Sequence, residues 1–387
     1  MSARPSPLPA HLPALDGLRG VAILLVVAHM LGLLEAPTGL FGRVVGFGFA
    51  TGWIGVQLFF VLSGFLITGI LLDTQGASNY LSGFFARRLL RIFPLYYATL
   101  FVALVLVPAL APAGSDVVAK LAHDRAHQVW LWTYLSNWVS PFEAGSHAFP
   151  HFWSLAVEEQ FYFLWPFVLM GRSARACLRL CVALAVVSLG VRVVMVAMGA
   201  PHGAIYTFSI TRMDALVLGG AAAALMRTPP VAAAIVARRT RLAPASLVVL
   251  VVGALATHGY SLASDLGQTI GYSFLSVGFA LAVLSAAASD TAPVRASWLR
   301  ARPLRALGKY SYGIYVFHKP LHDFVGKALV ARLGLDVERS AVVALAYVGA
   351  GLAVVFVVAF ASYQLFERRF LALKGRFEPR DQIASAS

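Results

Sequence analysis

The stretch HFWSLAVEEQFYFLWPFVLM, His151 to Met170, decides how the chain is read. Its run of Phe, Trp, Leu and Val matches the roughly 20 apolar residues a helix needs to cross a bilayer. Inside it stand two adjacent carboxylates, Glu158 and Glu159. A charged side chain at the bilayer centre costs about 2.5–3.5 kcal/mol on insertion scales. Two neighbours cost more, unless they share a proton or face a wet cavity. Ionisable groups kept at that cost mark working sites, so the pair reads as part of an active centre buried in a membrane protein.

The rest of the chain agrees with this class. Of its 387 residues 59% are hydrophobic and only 12% charged, about half the soluble share. An ordinary soluble domain is excluded. The expected fold is an all-α polytopic membrane protein with ten spans: 15–34, 53–72, 92–110, 152–170, 178–198, 206–226, 243–258, 269–288, 307–330 and 341–365. The aromatic stretch HQVWLWTYLSNWVSP, 127–141, is too short to cross. It is expected as a re-entrant or interfacial segment on the outer side, where Trp and Tyr form belts.

If the N-terminus is cytoplasmic and the spans alternate, 22 of the 31 Lys and Arg face inward and seven outward. Such asymmetry sets orientation, so both termini are expected in the cytoplasm. The net charge of +14 is therefore a topology signal, and no nucleic-acid partner is expected. The predicted organisation is a cytoplasmic segment 1–14, one transmembrane domain 15–366 and a basic cytoplasmic tail 367–387. The first ten residues, MSARPSPLPA, lack a signal peptide's apolar core, so the first span is expected to be an uncleaved helix. Cys177 and Cys181 are too few for a disulfide framework or a zinc site; they are expected to pack, and no metal site is expected.

Further polar groups fall inside the spans. His29 lies ten residues beyond Arg19, about 15 Å along a helix, which predicts a position near the midplane. A neutral imidazole there suits proton abstraction from an alcohol; the bland alternative is a histidine satisfied by a neighbouring helix. Ser311, Tyr315, His318 and His322 share one helical stripe, read equally as interhelical glue or as contacts to a substrate or cofactor. Arg212 and Asp214 open the sixth span, either as a structural ion pair or as groups for sugar hydroxyls. Trp153 is expected beside them at the acceptor. Asp16 reads as a mouth residue or an N-cap. In SGFFARRLLRIFP, 82–94, Arg88 and Arg91 are three apart and share a face, which serves topology or clamps phosphates. Ser63, in VLSGFLITG, reads mainly as a packing position between small residues.

Taken together, LDGLRGVAILLVVAH (15–29), GVQLFFVLSGFLITGIL (55–71), RRLLRIFPLYY (87–97), FWSLAVEEQFYFLWP (152–166), RMDALVLGG (212–220) and LGKYSYGIYVFHKPL (307–321) resemble the acyltransferase 3 family of integral membrane acyltransferases. The resemblance covers almost the whole chain. It implies transfer of an acyl group, acetyl first among candidates, from cytoplasmic acetyl-CoA or another acyl-CoA to an acceptor at the outer face of a bacterial inner membrane. The acceptor is usually a carbohydrate: lipopolysaccharide O-antigen, exopolysaccharide or a related glycan, lipid-linked or free. The family's Arg…His motif falls on Arg19 and His29, and its Arg-x-x-Arg motif on Arg88 and Arg91.

On that footing His29, Glu158 and Glu159 are the expected catalytic groups. Arg19, Arg88, Arg91, Tyr315 and His318 are expected to hold the donor, and Trp153, Arg212 and Asp214 the acceptor. The glutamates are expected about 8 Å below the outer face, on the acceptor side. Some relatives carry a C-terminal extracytoplasmic esterase-like domain. This chain is expected to act without one, or with a separate extracytoplasmic transferase as partner. Three competitors stay open: a transporter or flippase, the same chemistry on a macrolide-type molecule, and an intramembrane serine protease using Ser63 with His29 or His318.

Overall fold

The structure, a computed structural model, describes Pro9 and residues 11–112, 115–139, 148–291 and 297–380. Arg4, most of the segment before His11, residues 140–141 of the aromatic stretch, Arg295 and the tail beyond Arg380 lie outside the described residues. The chain is an all-α polytopic membrane protein, with no β-sheet among the described residues. Its main helices are α1 (Pro13–Leu31), α2 (Gly39–Thr51), α3 (Ile54–Asp73), α4 (Tyr80–Phe101), α5 (Phe152–Leu169), α6 (Ala174–Ala197), α7 (Ser209–Leu225), α8 (Arg239–Ala256), α9 (Tyr272–Asp290), α10 (Arg302–Leu321) and α11 (Ala341–Ser362).

Eight helical stretches among the described residues are long and apolar enough to cross a membrane. They coincide with eight of the expected spans. The other two expected spans are α5 and α10, of 18 and 20 residues, whose polar groups lower their hydropathy. The aromatic stretch forms two short pieces, Gln128–Trp132 and Ser136–Trp138, and no spanning helix. Unexpected is α2, which presents Leu40, Phe41, Val44 and Phe47 on its exposed surface.

Helix α3 is the axis of the bundle, packing along α7, α1 and α9. Helix α10 packs along α1, and α6, α8 and α11 lie outside. Between helices in lipid, close approach replaces the hydrophobic drive, and small residues permit it. A Cβ on Gly64 would run into the Leu216 carbonyl, and one on Gly219 into the Val61 carbonyl, so α3 and α7 touch backbone to backbone. Gly20 and Gly308 do the same for α1 and α10. Cys177 and Cys181 are both buried and free, as expected of packing residues.

The basic residues after α11 do not trail away. Arg368–Ala372 and Leu373–Phe377 form two short turns against α4. Asn79 Nδ2 donates to the Glu378 carbonyl at 2.8 Å and accepts from the Arg380 amide through Oδ1 at 2.9 Å. This strap closes the same end of the bundle that carries the starts of α1, α4 and α10.

Candidate active site

Five helices, α1, α3, α4, α5 and α10, enclose a chamber of about 90 Å³. The glutamates enter it from α5. Ser63 Oγ donates to Glu158 Oε1 at 2.8 Å, and Tyr162, one helical turn on, donates to Oε2 at 3.3 Å. Both carboxylate oxygens are therefore held by hydroxyls. Ser63 combines this bond with its place beside the tightly packed Gly64.

Successive helix residues diverge by about 100°, so Glu159 meets the chamber from a different side. It also lines a separate side pocket with Phe93, Tyr134 and Gln160. Tyr134 is held there with φ 55 and stacks on Tyr96 at 4.1 Å.

The cations come from α1 and α4. Arg19 Nη2 donates to Ser311 Oγ at 3.4 Å. Arg88 lies with its guanidinium 5.3 Å from the Tyr162 ring centroid, in the range of cation–π attraction. Arg88 and Arg91 share the face their spacing predicted, and both line the chamber with Arg19. Tyr315 lines it too: its hydroxyl is 2.5 Å from Ser154 Oγ and donates to the His151 carbonyl at 3.0 Å.

Arg19, Arg91 and Tyr312 also line a second, larger space of about 620 Å³. This vestibule lies between the starts of α1 and α10 and the strap after α11. It holds Arg302, Arg305, Lys309 and Lys374, residues that served only as topology charges in the sequence. Their signal was present: Arg302, Arg305 and Lys309 are three and then four apart, one face of a helix.

Four expected placements change. The glutamates were expected near the outer face, grouped with Arg212 and Asp214. Ser63 is the tenth residue of the 20-residue α3, so its bond sets Glu158 at the middle of that helix, among Arg19 and Arg88. The depth count took Trp153 as the membrane surface. Trp153 instead packs on Phe60 at 6.0 Å between ring centroids, already about 9 Å along α3.

His29 was expected near the midplane. It is the seventeenth residue of the 19-residue α1, in its last turn. It lies outside the set that lines the chamber. Its Nδ1 is 2.8 Å from the Phe49 carbonyl. A carbonyl only accepts, so Nδ1 carries the proton and Nε2 keeps its lone pair.

Arg212 and Asp214 do not pair. Two residues apart on a helix they point about 160° apart. Asp214 is taken by Arg192 of α6, Nη1 to Oδ2 2.9 Å, both wholly buried. Arg192 also donates to the Thr211 carbonyl at 2.6 Å and to Ser273 Oγ at 2.7 Å. Arg212 sits inside a box of Trp53, Phe60, Trp153, Tyr206 and Tyr272, its guanidinium 4.2 Å from the Tyr272 centroid. None of its side-chain nitrogens has a hydrogen-bond partner among the described residues.

His318 is buried outside the chamber, its Nδ1 2.6 Å from the Tyr315 carbonyl. Its ring lies 4.7 Å from that of His151. His151 precedes the first turn of α5 and was given no role from sequence. Tyr162, Ser154 and Tyr312 were missed as well; an aromatic hydroxyl one turn after a buried Glu was the available sign for Tyr162.

The comparisons with known proteins follow the same outline. A family model described as an acyltransferase domain, acyltransferase 3, matches residues 12–363. The O-acetyltransferase OatA of Staphylococcus aureus is 27% identical over 340 residues, 83% of this chain and 52% of that protein. The peptidoglycan O-acetyltransferase OatA of Listeria monocytogenes is 29% identical over 332 residues, 80% of this chain and 49% of that protein. The chain thus spans about half the length of the curated relatives it matches. No solved structure matches it. Matched along nearly its whole length, with the arginines and the glutamate pair of its motifs gathered around one intramembrane chamber, the chain belongs to the acyltransferase 3 family.

Proposed function

We propose that the chain is a membrane O-acetyltransferase that moves an acetyl group from cytoplasmic acetyl-CoA to a hydroxyl of a cell-surface glycan, across ten spans with both termini inside. The observation that carries this reading is the chamber itself. A carboxylate held by two hydroxyls and flanked by arginines lies next to a cation-lined vestibule, the two spaces sharing Arg19, Arg91 and Tyr312 in their walls. A thioester on a long flexible arm ending in phosphates fits such a path, with anionic groups at Arg19, Arg88 and Arg91 and the acyl end beyond them. The relatives named as O-acetyltransferases, one of them of peptidoglycan, support a glycan acceptor.

In this reaction the acceptor O–H gives its proton to His29 Nε2, whose lone pair is free because the Phe49 carbonyl holds the proton on Nδ1. The acceptor oxygen bonds to the thioester carbonyl carbon. The C–S bond breaks, the CoA sulfur takes the proton back from His29 Nε2, and CoA leaves as the thiol. Glu158 orders the chamber through Ser63 and Tyr162. Trp153 and the Arg212 it packs on stand at the acceptor side, Asp214 braces that region through its pair with Arg192, and Glu159 supports the side pocket.

The test uses purified protein in nanodiscs with acetyl-labelled CoA, alongside base-released acetate from the surface glycan of a deletion strain. Loss of glycan acetate, restored by the wild type and not by His29→Ala, is the expected result. A transporter would leave acetyl-CoA unconsumed, and full glycan acetylation by His29→Ala overturns the scheme.

A further inference from the structure

The vestibule is more than an entrance. Six cationic side chains line it, Arg19, Arg91, Arg302, Arg305, Lys309 and Lys374, against the two carboxylates of Asp16 and Glu367. Those carboxylates are engaged: Asp16 with His11 at 2.8 Å, Glu367 with Ser362 at 3.1 Å. None of the six cations is in an ion pair among the described residues. At the same end of the bundle Arg227 and Arg300 each have one, with Asp73 and Asp290. Self-repulsion of this kind opposes packing unless an anion offsets it. Arg305 Nε is buried with no hydrogen-bond partner among the described residues. The α10 axis begins at Arg302, adding the positive end of its dipole.

The space has a second character. Tyr310 and Tyr363 form an edge-to-face pair in its wall, 5.2 Å between centroids. Lys309 Nζ lies over both rings, 5.2 and 5.0 Å from their centroids, and the aromatic surface the pair leaves in the wall suits a planar heteroaromatic group. At about 620 Å³ the vestibule is within the size range of cofactor sites, whereas the chamber is far too small for a nucleotide. Unpaired cations and an aromatic pair, in one cavity beside the chamber, describe a site for a phosphorylated adenosine.

We propose that the vestibule is the subsite for the 3′-phosphoadenosine end of the donor, with Arg305 and Lys374 reading the 3′-phosphate and the Tyr310–Tyr363 pair facing the base. This rests on the acyl-CoA reading above. It assigns Arg19 and Arg91, which line both spaces, to the pyrophosphate between them. Lys374 belongs to the strap, so the segment after α11 becomes part of donor recognition.

The experiment compares acetyl-CoA with acetyl-3′-dephospho-CoA, two probes that differ by one phosphate. Affinities are measured by calorimetry on the full chain in nanodiscs. The wild type is expected to bind acetyl-CoA at least about tenfold more tightly, since charge-assisted bonds to one phosphate are lost in the analogue. In the Arg305→Gln/Lys374→Gln double variant that ratio falls to about one, while affinity for the dephospho analogue stays within about twofold, which also shows that the fold is intact. Equal wild-type affinities overturn the subsite and leave the donor reading standing. So does a double variant that weakens both probes alike. Binding of neither probe by the wild type overturns the donor reading, and the subsite with it.

Discussion

Asp214→Asn is the most informative single substitution outside the chamber. It keeps the side chain's shape and removes only charge. In the native protein Asp214 and Arg192 are both wholly buried and 2.9 Å apart. Breaking a buried pair from one side costs about 3–5 kcal/mol, because the remaining charge is left without a counter-ion. Arg192 would retain the Thr211 carbonyl and the hydroxyls of Ser188 and Ser273, which argues for the lower bound, about 3 kcal/mol. No second carboxylate is paired with it among the described residues. Purified protein in detergent, followed by tryptophan fluorescence, should melt about 4 °C below the wild type. Removing both charges, in Arg192→Met/Asp214→Leu, should recover most of that loss, since apolar replacement of a buried pair is often neutral or stabilising. A single variant that melts with the wild type, or a double variant no better than the single, would refute the reasoning.

Two further outcomes follow from contacts already described. Gly219→Val forces a side chain into the Val61 carbonyl and should destabilise by about 1–3 kcal/mol or more, while Gly190→Val, with no atom within 4 Å of its Cβ position, should melt like the wild type; equal behaviour of the two removes the case for backbone contact between α3 and α7. Ser63→Ala removes a hydrogen bond to a carboxylate, about 1.5–3 kcal/mol. If Glu158 orders the reacting end of the donor, acetyl-CoA turnover should fall about 10- to 100-fold. Tyr162→Phe, losing the longer 3.3 Å bond, should fall less, and unchanged turnover in Ser63→Ala would remove Glu158 from the reaction.

The spans were legible because hydropathy and length speak for themselves in a helix that must cross lipid. Helix α2 was not: thirteen residues rich in Gly and Phe are too short to span and read as a loop. The motif residues were legible as candidates, but their grouping was not. Sequence gives depth along one helix only relative to an assumed surface, and Trp153 was the wrong surface because α5 starts inside the bundle. Nor does it say which helices are neighbours. Asp214 was assigned to the cation nearest in sequence, Arg212, when helix geometry turns that pair apart and α6 supplies Arg192. The vestibule escaped because its cations come from α1, α4, α10 and the strap, each of which taken alone looks like ordinary positive-inside charge.

The strap has a practical side. Asn79 grips Glu378 and Arg380 just before the first turn of α4, the helix that carries Arg88 and Arg91. The carboxyl-terminal stretch is thus a tether on the arginine helix. Tags fused behind it, or trimming the chain at the end of α11, would loosen that helix at its root. An inactive trimmed protein would then say nothing about the chamber, and affinity handles are better placed away from residues 368–380.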